Sequence, residues 1–204
     1  MTVLGIKSVV VKKYKPLRVE KNIKEKENIL NQDFTTTSIN QKWSADITYI
    51  HTEKDGWTYL ASVEDLYSRK IIGWAFGKTM DAELAKKALK NASLNIKKTK
   101  GIILQTDLGS QYTSNIFEEY LAELKIRHSY SRKGCPYDNS CIESFHSILK
   151  KEEVNLKKYK DFKEAYNAIF EFIEAWYNRE RIHSCLNYKT PDEVHSEDEE
   201  SFAA

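Results

Sequence analysis

Trp43-Ser44-Ala45-Asp46-Ile47-Thr48-Tyr49-Ile50, then Asp55-Gly56, then Trp57-Thr58-Tyr59-Leu60-Ala61-Ser62-Val63, is the stretch whose reading decides the fold. Trp43, Ala45, Ile47 and Tyr49 alternate with Ser44, Asp46, Thr48 and Ile50, the two-residue period of a strand with two distinct faces. Asp-Gly supplies the positive backbone angles of a tight turn, so it predicts a two-residue hairpin into a second strand over Trp57–Val63. Lys70–Phe76 reads as a third strand, giving three antiparallel strands in succession.

Beyond them the period changes. Asp81 and Glu83 place acids in the first turn of a helix running from Ala82 to about Leu94. Gly101–Asp107 is an apolar strand that stops abruptly at Gly109, residues 115–124 are helical, and Arg127–Ser131 is a short strand. Residues 134–138 read as a loop and about 139–151 as a helix. Asp161 and Glu164 form a capping box that opens a last long helix, with Phe162, Ala165, Tyr166, Ile169, Ile173 and Trp176 on its packed face. The order implies an α/β fold, a mixed five-stranded sheet flanked by helices with an extra helix toward the C-terminus.

With 204 residues and 41% hydrophobic composition, the chain can bury one ordinary core. Its apolar runs are too short for a membrane span or a secretory leader. The cysteines, Cys135, Cys141 and Cys185, are odd in number and lack CxxC spacing, which disfavours a disulfide framework or a cysteine-rich zinc site and points to a reducing cytoplasm. Residues 192–200 hold six acids and no Lys or Arg; the preceding 191 residues hold 32 bases and 24 acids, a charge of +8. Residues 7–26 form a basic arm of eight bases and two acids. This asymmetry suits a polyanionic partner, and equally a solvated surface. Residues 1–40 read as a linker left by an upstream domain, 41–180 as the core, and 181–204 as a closing segment with an acidic tail.

Three acids stand where acids need a reason. Asp46 lies inside an apolar strand, where an unpaired carboxylate is costly. Asp107 closes a strand at the end where open α/β sheets place their sites, and Glu143 sits in the first turn of the 139–151 helix. If the strands are neighbours and the helix crosses them, the three converge as oxygen ligands for Mg²⁺. Local structure offers other readings: Ser140 to Glu143 fits a capping box, and Asp107 suits a turn. On that helix, at about 100° per residue, His146 lies about 60° from Glu143, Ser147 about 40° on the other side, and Lys150 nearly eclipses it. Lys150 and Lys151 on this wall are candidate phosphate contacts, or simply solvated.

Four segments carry a resemblance: Trp43–Ile50, Leu60–Gly73, Gln105–Tyr112 and Ser131–His146. With the closing Tyr177-Asn178-x-x-Arg181-x-His183-x-x-Leu186-Asn187-Tyr188-x-Thr190-Pro191, they resemble OrfB-type transposases of the insertion-sequence-three family, whose cores are similar to retroviral integrase. The likeness spans about residues 28–194, and 35 residues lie between Asp107 and Glu143, the spacing of the family's DDE triad. It implies an RNase H-like fold in which Asp46, Asp107 and Glu143 hold two Mg²⁺ or Mn²⁺ ions. One ion would activate the attacking oxygen and the other stabilise the leaving one. The implied chemistry is cleavage that frees a 3′-hydroxyl at the element's end, followed by transfer of that end into target DNA.

The resemblance makes Lys150, seven residues after the glutamate, a phosphate contact, lets Tyr137 and Asn139 position the strand, and sets Gln111 and Tyr112 around the second carboxylate, though packing alone also explains Tyr112. His146 and Lys151 join the candidate DNA contacts. The partners implied are transposon-end and target DNA and further copies of this chain or a full-length transposase, on the bacterial nucleoid and away from membranes. Family members carry an N-terminal helix-turn-helix region that this sequence does not resemble. Two other readings follow: a nuclease of the RNase H or resolvase kind, and a DNA-binding remnant that inhibits the full-length enzyme.

Overall fold

The computed structural model describes residues 26–94, 96 and 99–203. The basic arm, except Lys26, therefore lies outside the described residues. β1 (Lys42–Thr52) and β2 (Gly56–Asp65) pair antiparallel from Trp43↔Asp65 to Thr52↔Gly56. The turn is one residue longer than a two-residue hairpin: Thr52 faces Gly56, and Gly56 takes the left-handed conformation at φ +72°. Thr52 causes the difference, because its Oγ1 accepts from Asp55 N (3.2 Å) and donates to Gly56 O (3.2 Å). β3 (Ile71–Gly77) pairs antiparallel with β2. β4 (Ile103–Thr106) pairs parallel with β1 and β5 (Arg127–Tyr130) parallel with β4, so the sheet order is β3-β2-β1-β4-β5.

One face of the sheet carries Trp43, Ala45, Val63 and Ala75 against α1 (Ala82–Ser93) and α2 (Asn115–Leu124). Each helix starts where a side chain satisfies an orphan N–H: Asp81 accepts from Leu84 N (2.9 Å) and Ser114 from Phe117 N (3.2 Å). The other face carries Ile50, Leu60, Ile71 and Phe76 against α3 (Ser140–Glu152) and α4 (Phe162–Phe170). α4 continues as a π-helical stretch, Glu171–Tyr177. The wider turn brings Tyr177 into the core at 2% exposure and leaves Trp176 only partly buried, so the packed stripe read at 3.6 residues per turn shifts by one at its end. The capping expectation at Asp161 holds for its own side chain, which accepts from Glu164 N (3.1 Å), whereas Glu164 reaches back to Lys160 N (2.6 Å).

Both ends of the described chain are tied down. The acidic stretch folds as α5 (Pro191–Ala203), where Asp198 accepts from Ile39 N (3.0 Å), His195 meets Ser68 Oγ (3.0 Å) and Asp192 meets Lys70 (2.5 Å). Residues 27–34, expected to be linker, lie along β5 with Leu30 buried. Their anchor is Asp138, fully buried in a 3₁₀ turn (Pro136–Asn139). It accepts from Asn28 Nδ2 (2.8 Å), Gln32 Nε2 (2.7 Å), Arg132 N (2.8 Å) and the Arg132 guanidinium (2.9 and 3.0 Å). The Arg132 hydrogen bond is the largest influence holding its carboxyl far below the usual range. Among the described residues no helix is long and apolar enough to cross a membrane.

α1 lies so close to β3 that a β-carbon on Gly73 would fall 2.3 Å from Ala92 N and 2.6 Å from Ala88 O. Both are helix backbone and cannot rotate away. Gly73→Ala is therefore expected to cost about 3 kcal/mol, the upper part of the overpacking range, seen as a lower urea midpoint at unchanged slope.

Candidate active site

The parallel register of β1 with β4 ends at Ser44↔Gln105. Two residues further along each strand, on the same face because side chains alternate, come Asp46 and Asp107. Asp46 lies within β1, and Asp107 follows the last residue of β4. α3 crosses this face with Glu143 in its first turn. Asn139 fixes the crossing: its Oδ1 accepts from Ser44 Oγ (2.5 Å) and its Nδ2 faces Ala45 O (3.4 Å). The three carboxylates line one open cavity of about 290 Å³, rimmed by Ser131, Arg132, Gly134, Cys135, Pro136 and Asn139. A roomier cavity of about 590 Å³ lies against β3 and gathers Trp74, Tyr166 and Phe170, with none of these three acids, so volume alone does not single out the reactive region.

Each aspartate spends one oxygen on the fold. Asp46 Oδ1 accepts from Ile47 N (2.8 Å), while Oδ2 lies 3.5 Å from His146 Nδ1. The other ring nitrogen of His146 meets Ser62 Oγ at 2.8 Å, and Ser62 is the residue directly opposite Asp46 on β2. Asp107 Oδ1 accepts from Gly109 N (2.9 Å), so this side chain does shape the turn that the sequence suggests. Burial pushes the Asp107 carboxyl up, the Gly109 N–H opposes this, and the charge of Asp46 adds to it. Glu143 is pushed up by desolvation and by Asp46, with His146 opposing. Hard oxygen donors gathered on one cavity, where burial and a neighbouring charge disfavour the ionised form, suit a divalent cation. As placed, no three His, Cys, Asp or Glu side chains among the described residues are close enough to hold an ion.

Residues 36–136 match the integrase core domain, and residues 124–191 match a second integrase core domain model. The transposase InsF of insertion sequence IS3fB from Escherichia coli K12 is 38% identical over 194 residues, covering 95% of this chain and 67% of the relative. The chain belongs to the insertion-sequence-three family of transposases. The transposase of insertion sequence element IS904 from Lactococcus lactis is 42% identical over 164 residues, 80% of this chain and 64% of that protein. This integrase core thus spans about two thirds of the length of the curated relatives it matches. Its RNase H-like fold is shared with the HTLV-2 integrase catalytic core domain, solved in complex with magnesium: TM-score 0.59 at 18% identity, covering 79% of this chain and 99% of that one.

Within the integrase core the candidate site residues fall into two groups. Tyr137 (74% exposed) and Lys151 lie open at the surface, and Lys150 holds its Nζ 4.1 Å from the centre of the Tyr49 ring. His146, Asn139 and Gln111 are at most 9% exposed, yet Asn139 lines the cavity of the three carboxylates and His146 lines the adjoining cavity between β1 and α3. Gln111 folds against the Asp107 turn, its Nε2 2.2 Å from where a β-carbon on Gly109 would stand. Tyr112 is packed in the core, edge-on to Phe117 at 5.2 Å. The capping box at Ser140 does not form: the cap position is Asn139, and its side chain makes no capping bond. Ser44, Ser62 and Gln105, which donates to Ser131 Oγ (3.0 Å), complete this support. Sequence reading passed over them, although hydroxyls and an amide at inward strand positions are themselves a signal that polar partners lie opposite.

A carboxyl whose folded pKa exceeds its unfolded value favours the fold below the unfolded pKa, and this contribution is lost as pH rises through the folded one. Asp107→Asn, which keeps an oxygen for Gly109 N, is therefore expected to raise the stability of the chelator-treated protein at pH 7–8. The gain should vanish as pH falls below the ordinary carboxylate value of about 3.9. Urea unfolding at both pH values checks this, and millimolar Mg²⁺ should raise the melting temperature of the wild type but not of the variant.

Proposed function

We propose that this chain is the catalytic core of a DDE transposase, cutting DNA at the 3′ ends of an insertion sequence and joining them to target DNA. The observation that supports the reading is the meeting of Asp46, Asp107 and Glu143, from two strands and a helix, in one cavity. These three side chains would hold two Mg²⁺ or Mn²⁺ ions, which supply Lewis acidity at the attacking and leaving oxygens of an in-line displacement. In the first step water attacks the phosphodiester at the element's end; the phosphorus–oxygen bond to the 3′ carbon's oxygen breaks and leaves a 3′-hydroxyl. In the second that hydroxyl attacks a target phosphodiester, forming one ester as another breaks, so no external energy source is needed.

The chain's own residues have distinct tasks in this scheme. His146, held by Ser62, aims Asp46 and places its ring Nδ1 beside the Asp46 carboxylate, to which it donates when protonated there. Asn139 sets the start of α3 and so the height of Glu143 over the strands. Lys150 and Lys151 give the wall of α3 the positive charge a phosphate chain follows, and Tyr137 extends from the loop beside the cavity. Target and element DNA are the partners in this reading, the working unit is an assembly of several copies or of this chain with a longer transposase, and the place of action is chromosomal DNA in the bacterial cytoplasm.

Reversal of strand transfer on a pre-branched DNA with Mn²⁺ tests the reading, because the branch already carries the 3′-hydroxyl. The wild type should reseal it, and Asp46→Asn, Asp107→Asn and Glu143→Gln should each lower the rate at least about a hundredfold while leaving circular dichroism unchanged. Hydrolysis without resealing would instead indicate a nuclease. Lys150→Ala should reduce the slope of log affinity against log salt by about one unit. An unchanged slope would remove Lys150 from the phosphate path.

A further inference from the structure

β4 leaves β1 after Ser44, and the next partner on that edge is the bridge Thr52↔Tyr159. Among the described residues no strand pairs with the intervening edge of β1, and a groove fills the gap. Near the carboxylates it is a cavity of about 470 Å³ between β1 and α3, reaching Asp46, Glu143, Ser147 and Lys150. It continues into a second cavity of about 540 Å³ beside the hairpin, sharing Tyr49, Lys150 and Asn155 with the first.

The second cavity is lined by exposed rings. Tyr49 is 56% and Trp57 55% exposed, although both are large and apolar. They meet edge to face at 5.2 Å, and His51, directly opposite Trp57 on the paired strands, meets it at 5.0 Å. Lysines stand around the rings: Lys150 over Tyr49, and Lys157 and Lys158 across the cavity, of which Lys157 pairs with Glu153 at 2.9 Å. Rings left half in water beside clustered lysines are what an unpaired nucleic-acid strand uses: bases stack on ring faces, and ammonium groups meet the phosphates.

We infer that this groove is a subsite for unpaired nucleotides of the DNA strand running on from the reacting phosphate, with Trp57 and Tyr49 as base-stacking platforms. Asp46 is three residues from Tyr49 and five from His51, about 10–17 Å along an extended strand. At about 3.4 Å per nucleotide that is roughly three to five base steps. The integrase core would then favour DNA whose end is frayed or single-stranded over that length. The inference rests on the proposed transposase reading for the identity of the DNA, but its test can fail separately.

The probe is a duplex oligonucleotide with a five-nucleotide unpaired tail, compared with the same duplex bearing an abasic tail of equal charge. The 204-residue protein should bind the base-bearing tail roughly five- to a hundredfold more tightly. Trp57→Ala and Tyr49→Ala should each erode that preference, while Trp57→Phe, which keeps a ring, should retain most of it. Wild type that binds both tails equally, or Trp57→Ala with an undiminished preference, overturns the subsite. Failure to reseal branched DNA with the tail preference intact removes the transposase reading and leaves the stacking site standing; resealing with no tail preference does the reverse.

Discussion

β4 hydrogen-bonds to β1 across only Lys42–Ser44, and most of the site follows from that short parallel pairing. While the strands run together their side chains keep step, so the acids two positions beyond the last pair, Asp46 and Asp107, emerge level on one face. Once β4 stops, the backbone of β1 loses its neighbour, and the space beside it can take in another chain. A longer β4 would have filled the space with sheet. A shorter one would have left the two aspartates free to drift in register, which fixes the relative height of their carboxylates only while the ladder holds.

A second layer of polar contacts turns this backbone frame into a rigid cavity. Ser44, Ser62 and Gln105 occupy inward positions on three different strands, where an apolar residue would have been the default. Each is matched to a partner: Asn139, His146 and Ser131 in turn. Burial favours such matching, since an unpaired polar group in this layer costs more than the bond itself contributes; of these three side chains, Gln105 keeps one buried oxygen, Oε1, without a partner. The carboxylates in front of this layer are held at a cost, burial first and the charge of Asp46 second, as the raised Asp107 and Glu143 indicate. Local stability and reactivity pull in opposite directions here, and the buried polar layer is what lets the fold tolerate the conflict.

Much of this was legible in the sequence, for reasons that differ by residue. The alternation through Trp43–Ile50 fixed both the strand and the oddity of Asp46, because a period of two leaves little doubt about which side chains share a face. The order of elements then sufficed for the mixed sheet. The wheel of α3 was correct in relative angle and silent on how the helix is turned toward the sheet. His146 does neighbour Glu143, but its ring is largely buried against Ser62 while still lining the cavity between β1 and α3, and nothing local to the helix records its rotation on the strands. The exit of α4 escaped because a π-helical stretch changes the period within a helix, and the hairpin escaped by one residue because the Thr52 hydroxyl competes for the turn.

Asp138, in the turn at the entry to α3, collects donors from two other places in the chain: the strap at Asn28 and Gln32, and the loop at Arg132. A buried carboxylate cannot surrender these donors one at a time without being left charged and unsolvated. Strap, loop and the first turn of α3 therefore form a single cooperative opening unit, and their amides should exchange with solvent hydrogen at one common rate set by that unit. Any release of the strap from β5 then loosens the seat of Glu143 as well, which links the order of residues 27–34 to the alignment of a side chain far away along the chain.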